Sequence, residues 1–546
     1  MMETSWAIDF GTTNTILAKW VGTHAIVVAL EELVEYEPAW QTPLIPSVIY
    51  FQDVNNAMIG RPALSAREII HSGDLQMLTP FARSFKKTLA RSSQQAVAQV
   101  GTETISARQC ASVFLSQLFE EMAEYQRSHV VPDPSLKRRL LRYLYFWRKE
   151  GQVTDLTMTV PIDSFEPYRA ELGQIARKLG VTRFTTLDEP VAAALGYGLD
   201  LSEEKHILVV DFGGGTLDLA LVKTHPFSAT GRTAQVAARR ATLLAGRGLT
   251  YGGETIDSWI TDFGCERLRA HQSTLRPILA GQAEAIKKDL SNKASVADSS
   301  FFLLQGGGRI EITRPEFLDL LERKGLYKTL ETITEAVLDD CRNQVNETEI
   351  DAVLLVGGST LLPGVRDLFE QIFGSQRVHY WEPFEAVAKG AAIYGAGFSV
   401  DQIVHHDYSI RVYSDAQQRP EYERLVRRGT PYPTPKPFET RYYAVAEGQA
   451  QFRLPVCEVG YAGRLSLPWQ RRSNGNEYWI PTGAEEDECV ITLNQGDTVR
   501  LPAAGAGNQA RLRIDFSIDE NRFLCATIHD LLKQKDIRED KVVMLR

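Results

Sequence analysis

Asp9 and Asp211 occupy the same place in two similar stretches, "WAIDFGTTNTILAKW" (residues 6–20) and "VVDFGGGTLDLALV" (residues 209–222). Each runs from an apolar segment into an aspartate, then small or hydroxyl-bearing residues, then a second apolar segment. That order reads as two strands joined by a tight turn. The turns hold Gly11, Thr12, Thr13 and Asn14 in one stretch and Gly213, Gly214, Gly215 and Thr216 in the other. Such a turn leaves backbone N–H groups without ladder partners, and glycine lets it adopt positive φ and approach a ligand closely. Concave N–H arrays bind phosphate. A carboxylate beside phosphate repels it unless a cation lies between, so Asp9 and Asp211 imply Mg2+, which suits sites of few carboxylates and retained waters. A lone glycine-rich hairpin needs no ligand. Two in one chain predict a pair of loops gripping one Mg-polyphosphate.

The elements that must position these loops are visible in outline. At 546 residues the chain is too long for one growing core, so about two to four domains are expected. After the first hairpin come the helical "CASVFLSQLFEEMAEYQ", the strand "DLTMTVPI", the helical "FEPYRAELGQIARKLG" and "FTTLDEPVAAALGYGLD". After the second come the helical "GQAEAIKKDLSNK", the strand "IDAVLLVGG" and a helix over "EAVAKGAAIYGAGFSV". This alternation predicts two α/β lobes, residues 1–200 and 201–396, with a linker at 397–410. Beyond it, "LVRRGTPYPTPKPFETRYYAV" carries four prolines, too many for a helix, with a turn near Gly429 and Thr430 joining two strands. In "ARLRIDFSIDENRFLCATIHD", Leu512, Ile514, Phe516 and Ile518 alternate with polar residues ahead of a turn, which predicts a hairpin within an all-β module at 411–546.

The balance of 60 basic and 69 acidic side chains, net −9, gives no general pull toward nucleic acid or anionic membrane. No run approaches the length of a membrane span, and "MMETSWAIDFGTT" enters a strand directly, so a cytoplasmic protein is expected. One local exception lies at 130–154, where Lys137, Arg138, Arg139, Arg142, Arg148 and Lys149 interleave with Tyr143, Tyr145, Phe146 and Trp147. An amphipathic helix on the body of the protein uses the same residues as a nucleic-acid or membrane surface, and we prefer the helix; a partner-docking surface is the further alternative. The six cysteines form no C-x-x-C pair and read as small buried apolar residues.

"DFGTTNT", "VVDFGGGTLDLAL" and "VLLVGGST" resemble, in order, the two phosphate hairpins and the adenosine motif of the actin, sugar kinase and Hsp70 ATPase superfamily. Within it, "VPIDSFEPYRAELGQIARKLGVTRFTTLDEPVAAALGYGLD", "LTYGGETID" and "AEAIKKDLS" are similar to Hsp70 stretches, and the likeness runs through residues 5–396. It implies a two-lobed actin-like fold, a duplicated ribonuclease H-like unit, followed by a small β domain. It further implies an ATPase using ATP/ADP and Mg2+. At matching positions, Thr12 and Thr13 would touch phosphate or metal-bound water. Asp9, Asp211 and Glu189 would order the Mg2+ hydration shell and the attacking water, with Thr216 near the γ-phosphate. Lys86 would position that water and offset developing charge, with Lys87 as the rival assignment. Glu284, Lys287, Lys288 and Ser291 share a helical face and would hold ribose and adenine, while Gly357, Gly358 and Ser359 would admit the nucleoside to the backbone. Two departures stand out: Leu361 replaces an arginine that stacks on the base, and Phe384 replaces an acidic residue.

After residue 400 the likeness narrows to "RLVRRGTPYPTPKPFETR" and the late hairpin, implying a β-type polypeptide-binding domain, with no helical lid before the end at Arg546. The linker "SVDQIVHHDYSI" departs from the family's acidic-leucine run, and His405 and His406 are expected at a solvated junction. Pro161 and Arg169 match relay positions between the domains. The leading reading is an atypical Hsp70-family chaperone that couples ATP hydrolysis to binding an unfolded or fixed partner polypeptide, with J-domain and nucleotide-exchange co-chaperones as further partners. The alternatives are an ATP-binding scaffold with little turnover and a small-molecule kinase.

Overall fold

The computed structural model describes residues 5–70, 80–129, 152–197, 203–225, 239–268, 272–292, 298–304, 308–380, 382–414, 419–435, 437–443, 451–453, 455–460, 469–471, 477–480, 489–494, 498–500, 510–519, 522–532 and 535–544. Residues 130–151, with the basic and aromatic stretch, lie outside them.

Both predicted hairpins form. Trp6–Phe10 pairs antiparallel with Asn14–Val21 and closes at Phe10 opposite Thr15. His206–Phe212 pairs with Leu217–Thr224 and closes at Phe212 opposite Leu217. Trp6–Phe10 is flanked by the parallel strand Asp155–Val160, then the parallel strand Arg183–Asp188, while His24–Val28 lies antiparallel beyond Asn14–Val21. The second hairpin repeats the order: Ala352–Val356 and then Val378–His379 run parallel on one side, and Arg239–Leu249 runs antiparallel on the other. The same directions in the same order make the second half a copy of the first, as a duplicated two-lobed fold requires.

The first strand of each hairpin is apolar on both faces, the pattern of a strand covered on both sides. Trp6, Ile8 and Phe10 face a core with Phe85, Phe114 and Leu118. Leu208, Val210 and Phe212 face another with Ile256, Leu279 and Phe302. The alternate residues, Ala7 in one half and Ile207 and Val209 in the other, face a third core between the halves. That core holds two helices, Glu189–Gly196 and Ala386–Gly395, whose mostly small apolar residues suit burial all round. Their backbones touch: a Cβ on Gly390 would lie 1.7 Å from the Ala192 carbonyl oxygen, and one on Gly196 1.9 Å from that of Ala386. The second helix is shorter than its sequence suggests. Gly397, at φ 105°, turns the chain out, and Ser399–Asp401 adds a strand beside Arg239–Leu249.

The remaining chain forms antiparallel sheets, one of six strands and one of four as the largest. In the four-stranded sheet Ala510–Ile518 and Phe523–Asp530 form the expected hairpin, with Leu512, Ile514, Phe516 and Ile518 buried. The turn at Gly429 differs from expectation. Its N–H donates to the Val404 carbonyl (2.8 Å), carrying the chain to Pro431, which bridges Ile403, rather than joining two strands of one sheet.

His405 and His406 correct the expectation of a solvated junction: they are 5 % and 1 % exposed. The six-stranded sheet presses on the first half here, and charged groups from both sides fill the seam. His405 Nε2 donates to Asp188 (2.6 Å), which also receives Arg169 (2.7 Å). His406 bonds Glu458 through Nδ1 (2.7 Å) and Asp163 through Nε2 (3.0 Å), and its ring stacks on Phe165 with centroids 4.3 Å apart. Glu458 also accepts the Glu166 N–H, while the Glu166 carboxylate takes Tyr408 (3.1 Å) and Arg522 (2.8 Å). Burial lowers the pKa of His405, against the upward pull of Asp188. For Asp188 burial works upward, but His405 and Arg169 more than offset it and hold the carboxyl below the usual range.

Candidate functional site

The two hairpin tips face each other. A Cβ on Gly214 would lie 2.1 Å from Thr13 Oγ1, and one on Gly215 would lie 2.5 Å from Thr12 Oγ1, so the loops meet through glycine. The second loop is closed by the Gly213 N–H on the Thr216 carbonyl (3.0 Å). It is braced from outside: the Gly213 carbonyl accepts Ser359 Oγ (2.7 Å) and the Gly253 N–H (3.0 Å), and the Gly214 carbonyl accepts the Glu254 N–H (2.8 Å). The first loop is braced by Ser47, whose Oγ donates to the Gly11 carbonyl and whose N–H donates to that of Thr13, both at 2.8 Å. Gly214→Ala is therefore expected to wedge the tips apart and to weaken by about tenfold or more the binding of Mg·ATP, the ligand the paired loops imply in the sequence, as read by titration calorimetry.

A cavity of about 670 Å3 opens at this junction. It is lined by Asp9, Gly11, Thr12, Thr13, Asn14, Lys86, Glu189, Asp211, Gly213, Gly214, Gly215, Thr216, Glu284, Lys287, Lys288, Ser291, Gly357, Gly358 and Ser359, so the fold brings every singled-out residue to one place. Leu361 and Phe384, the two departures, line it too. The lysine ambiguity resolves in space. Lys86 Nζ lies 2.7 Å from Glu189 Oε1 with both side chains buried, whereas Lys87 Nζ faces Glu254 at 3.6 Å on the cleft rim.

Negative charge is in excess around Lys86. Burial, aided by Glu189, lifts the Asp9 carboxyl from its ordinary range to about 7, against the pull of Lys86 and of Thr159, whose hydroxyl donates to Asp9 Oδ1 (2.8 Å). Burial first, then Glu189, Asp218 and Asp9, push Asp211 well above the carboxylate range. Burial works against the charge of Lys86, but Glu189, Tyr168 and Asp9 overcome it and raise its pKa, so it stays cationic. Buried carboxylates that outnumber the ammonium fit a bound cation. Among the described residues no group of three carboxylate, imidazole or thiol side chains is placed to hold a metal directly.

At the far end, Lys288 pairs with Glu284 (2.8 Å), which also receives Arg83 from the other half (3.1 Å). Burial works upward on Glu284, but Lys288, Lys287 and Arg83 prevail and lower its pKa to about 2. Lys287 turns inward to Asp257 (2.9 Å) and the Gly253 carbonyl (3.1 Å), while Ser291 Oγ donates to the Lys287 carbonyl (2.7 Å).

Some residues of the site escaped the sequence reading. Thr159 had a signal: in "DLTMTVPI" hydroxyls alternate with apolar residues, which puts Thr157 and Thr159 together on one face, unusual in a fully buried strand. Tyr168 had none. It is 2 % exposed, its hydroxyl meets no partner among the described residues, and burial lifts its pKa to about 12 beside Lys86 and Glu189. Trp40 and the turn around Glu37 line the cavity without any local motif.

Comparison with known proteins agrees with this geometry. Residues 6–459 match the family model described as Hsp70 protein. Chaperone protein dnaK3 of Thermosynechococcus vestitus is 30% identical over 407 residues, covering 71% of this chain and 54% of that protein. A chaperone protein HscA homolog of Haemophilus influenzae is 26% identical over 392 residues, covering 71% of this chain and 56% of that protein. The chain spans about half the length of these curated relatives. With the match running through both apposed hairpins, the Lys86–Glu189 pair and the first strands beyond the linker, the chain belongs to the Hsp70 family.

Proposed function

We propose that this chain is an ATP-hydrolysing molecular chaperone that couples the state of its nucleotide cleft to the binding of an unfolded or partner polypeptide. The observation that carries this reading is the buried Lys86–Glu189 pair set between two touching glycine hairpins, beside Asp9 and Asp211. In it, residues 1–200 and 201–396 are the two ATPase lobes, 397–410 the linker and 411–546 the polypeptide-binding module. The loops Gly11–Asn14 and Gly213–Thr216 hold phosphate oxygens. Asp9 and Asp211 hold Mg2+ through its waters; the ion neutralises phosphate charge. Glu189 orients the attacking water, and Lys86 offsets the charge that grows on the transferring phosphoryl oxygens. Glu284, Lys287, Lys288 and Ser291 hold ribose and adenine against the Gly357–Ser359 backbone, and Leu361 offers the base an apolar face. J-domain and nucleotide-exchange proteins would serve as co-chaperones in the cytoplasm. No described helix is long and apolar enough to cross a membrane.

Phosphate release from ATP should rise when an unfolded polypeptide is added, and peptide affinity should change between ATP and ADP. The absence of both responses would remove the chaperone reading. One observation favours a scaffold instead: the β sheets are pinned to the first half through buried His406 on Asp163, Glu458 on the Glu166 N–H and Arg522 on the Glu166 carboxylate. A wild-type chain that binds ATP yet turns over no faster than its Lys86→Ala variant would decide for the scaffold.

A further inference from the structure

Besides the touching hairpin tips, contacts of different chemistry cross the cleft between the halves among the described residues. On the Lys87 side they are ionic: Arg83 with Glu284, and Lys87 and Ser84 with Glu254. Such partly exposed pairs contribute little and are screened by salt. The other crossing is aromatic. The Trp40 and Phe384 rings meet edge to face, with centroids 5.7 Å apart and planes at 68°, and both line the cavity. Next to them Thr42 Oγ1 donates to Glu385 Oε1 (3.1 Å), itself held by Lys389 (2.7 Å).

Both rings are mounted on the phosphate loops' own braces. Trp40 sits in a fixed turn: Glu37 Oε2 accepts the N–H groups of Ala39 (2.7 Å) and Trp40 (2.8 Å), and the Glu37 N–H donates to the Thr42 carbonyl (2.9 Å). Gln41, at φ 56°, then leads into Pro43–Pro46 and Ser47, which bonds the first loop. On the other side the Pro383 carbonyl accepts the Gly357 N–H (2.7 Å), and a Cβ on Gly358 would lie 3.2 Å from the Phe384 ring. The adjoining Ser359 bonds the second loop. Any separation of the two loops therefore pulls on the ring pair.

We propose that Trp40 and Phe384 form an aromatic latch that must part for a nucleotide to enter or leave, and that the latch sets the exchange rate. This inference rests on the nucleotide reading given above. An edge-to-face pair adds attraction beyond its buried area. Unlike the ionic rim, it does not loosen as salt rises.

The test is stopped-flow binding of methylanthraniloyl-labelled Mg·ADP, chased by unlabelled ADP, to the full chain and to Trp40→Ala, Trp40→Phe, Phe384→Ala and the double alanine variant. Loss of either ring should raise association and dissociation rates together by about threefold to tenfold. Trp40→Phe should stay near wild type, the double variant should be no faster than the faster single one, and the effect should persist in high salt. A faster dissociation with unchanged association would mean the ring merely touches ligand, and additive singles would mean the rings act separately; either overturns the latch. Calorimetry separates the two levels. Wild-type heat of ADP binding with unaltered variant rates removes the latch alone, whereas no heat at all removes the nucleotide reading and the latch with it.

Discussion

Replacing Lys86 by alanine should slow phosphate release from ATP by about a hundredfold to a thousandfold, the range seen when a preorganised charge stabiliser is removed. ADP binding, read by calorimetry, should survive, because the loops that would hold the phosphates are closed and braced by groups other than Lys86. The lysine is well placed for such an effect. At 5 % exposure its ammonium acts where water screens little, and its bond to Glu189 fixes its direction. Removing it also leaves Glu189 buried without its cation, and breaking a buried pair costs about 3–5 kcal/mol. Because Glu189 is itself assigned to the attacking water, chemistry and folding are separated by reading turnover of Lys86→Ala well below its melting temperature, where the chain is folded and binds ADP. Wild-type turnover from that folded, ADP-binding variant would show that Lys86 matters only to the fold.

The second large effect concerns the seam between the β module and the first half. His406 is bonded to Asp163 on one side and Glu458 on the other, beneath Phe165, with Tyr408 and Arg522 of the module closing the network on Glu166 of the first half and His405, Asp188 and Arg169 adjoining it. Burial works against its charge, but the bonds to Asp163 and Glu458 prevail and raise its pKa to about 9. The ordinary value is about 6.5. A raised pKa makes the folded form bind the proton more tightly, so this stabilisation is complete below about pH 6.5 and is lost as pH climbs through about 9. His406→Gln should cost about 3–5 kcal/mol in chemical denaturation at neutral pH, as expected for a buried charge network that loses one member. It should also expose the 398–404 segment to limited proteolysis and flatten the fall in stability between pH 6.5 and 9. An unchanged pH slope in that variant would show that the imidazole is not the titrating group.

How much of this was readable from residues alone follows from how local each signal is. The two hairpin loops were legible because strand, turn and strand are neighbours in sequence, and an aspartate followed by small residues marks each turn without distant information. The choice between Lys86 and Lys87 was not, since adjacent helical residues point about 100° apart and only packing selects one. Phe85, Lys86 and Leu89 turn inward and Lys87 outward. His406 was opaque for a stronger reason: its two carboxylates lie 52 and 243 residues away along the chain. A pair of histidines in a polar-looking joint carries no trace of such partners. Trp40 and Phe384, 344 positions apart by their numbers, meet only once both halves are folded. The helix thought to run through "GFSV" ended early because Gly397 adopts a conformation that continues no helix, a matter of backbone rather than composition.

The bare crossing of Gly196 over Ala386 and of Gly390 over Ala192 leaves no side chain to act as a spacer. Two rods in backbone contact resist being pulled apart or slid, yet can swivel like the blades of scissors about their rivet. Opening at the handles and opening at the tips then become a single angle.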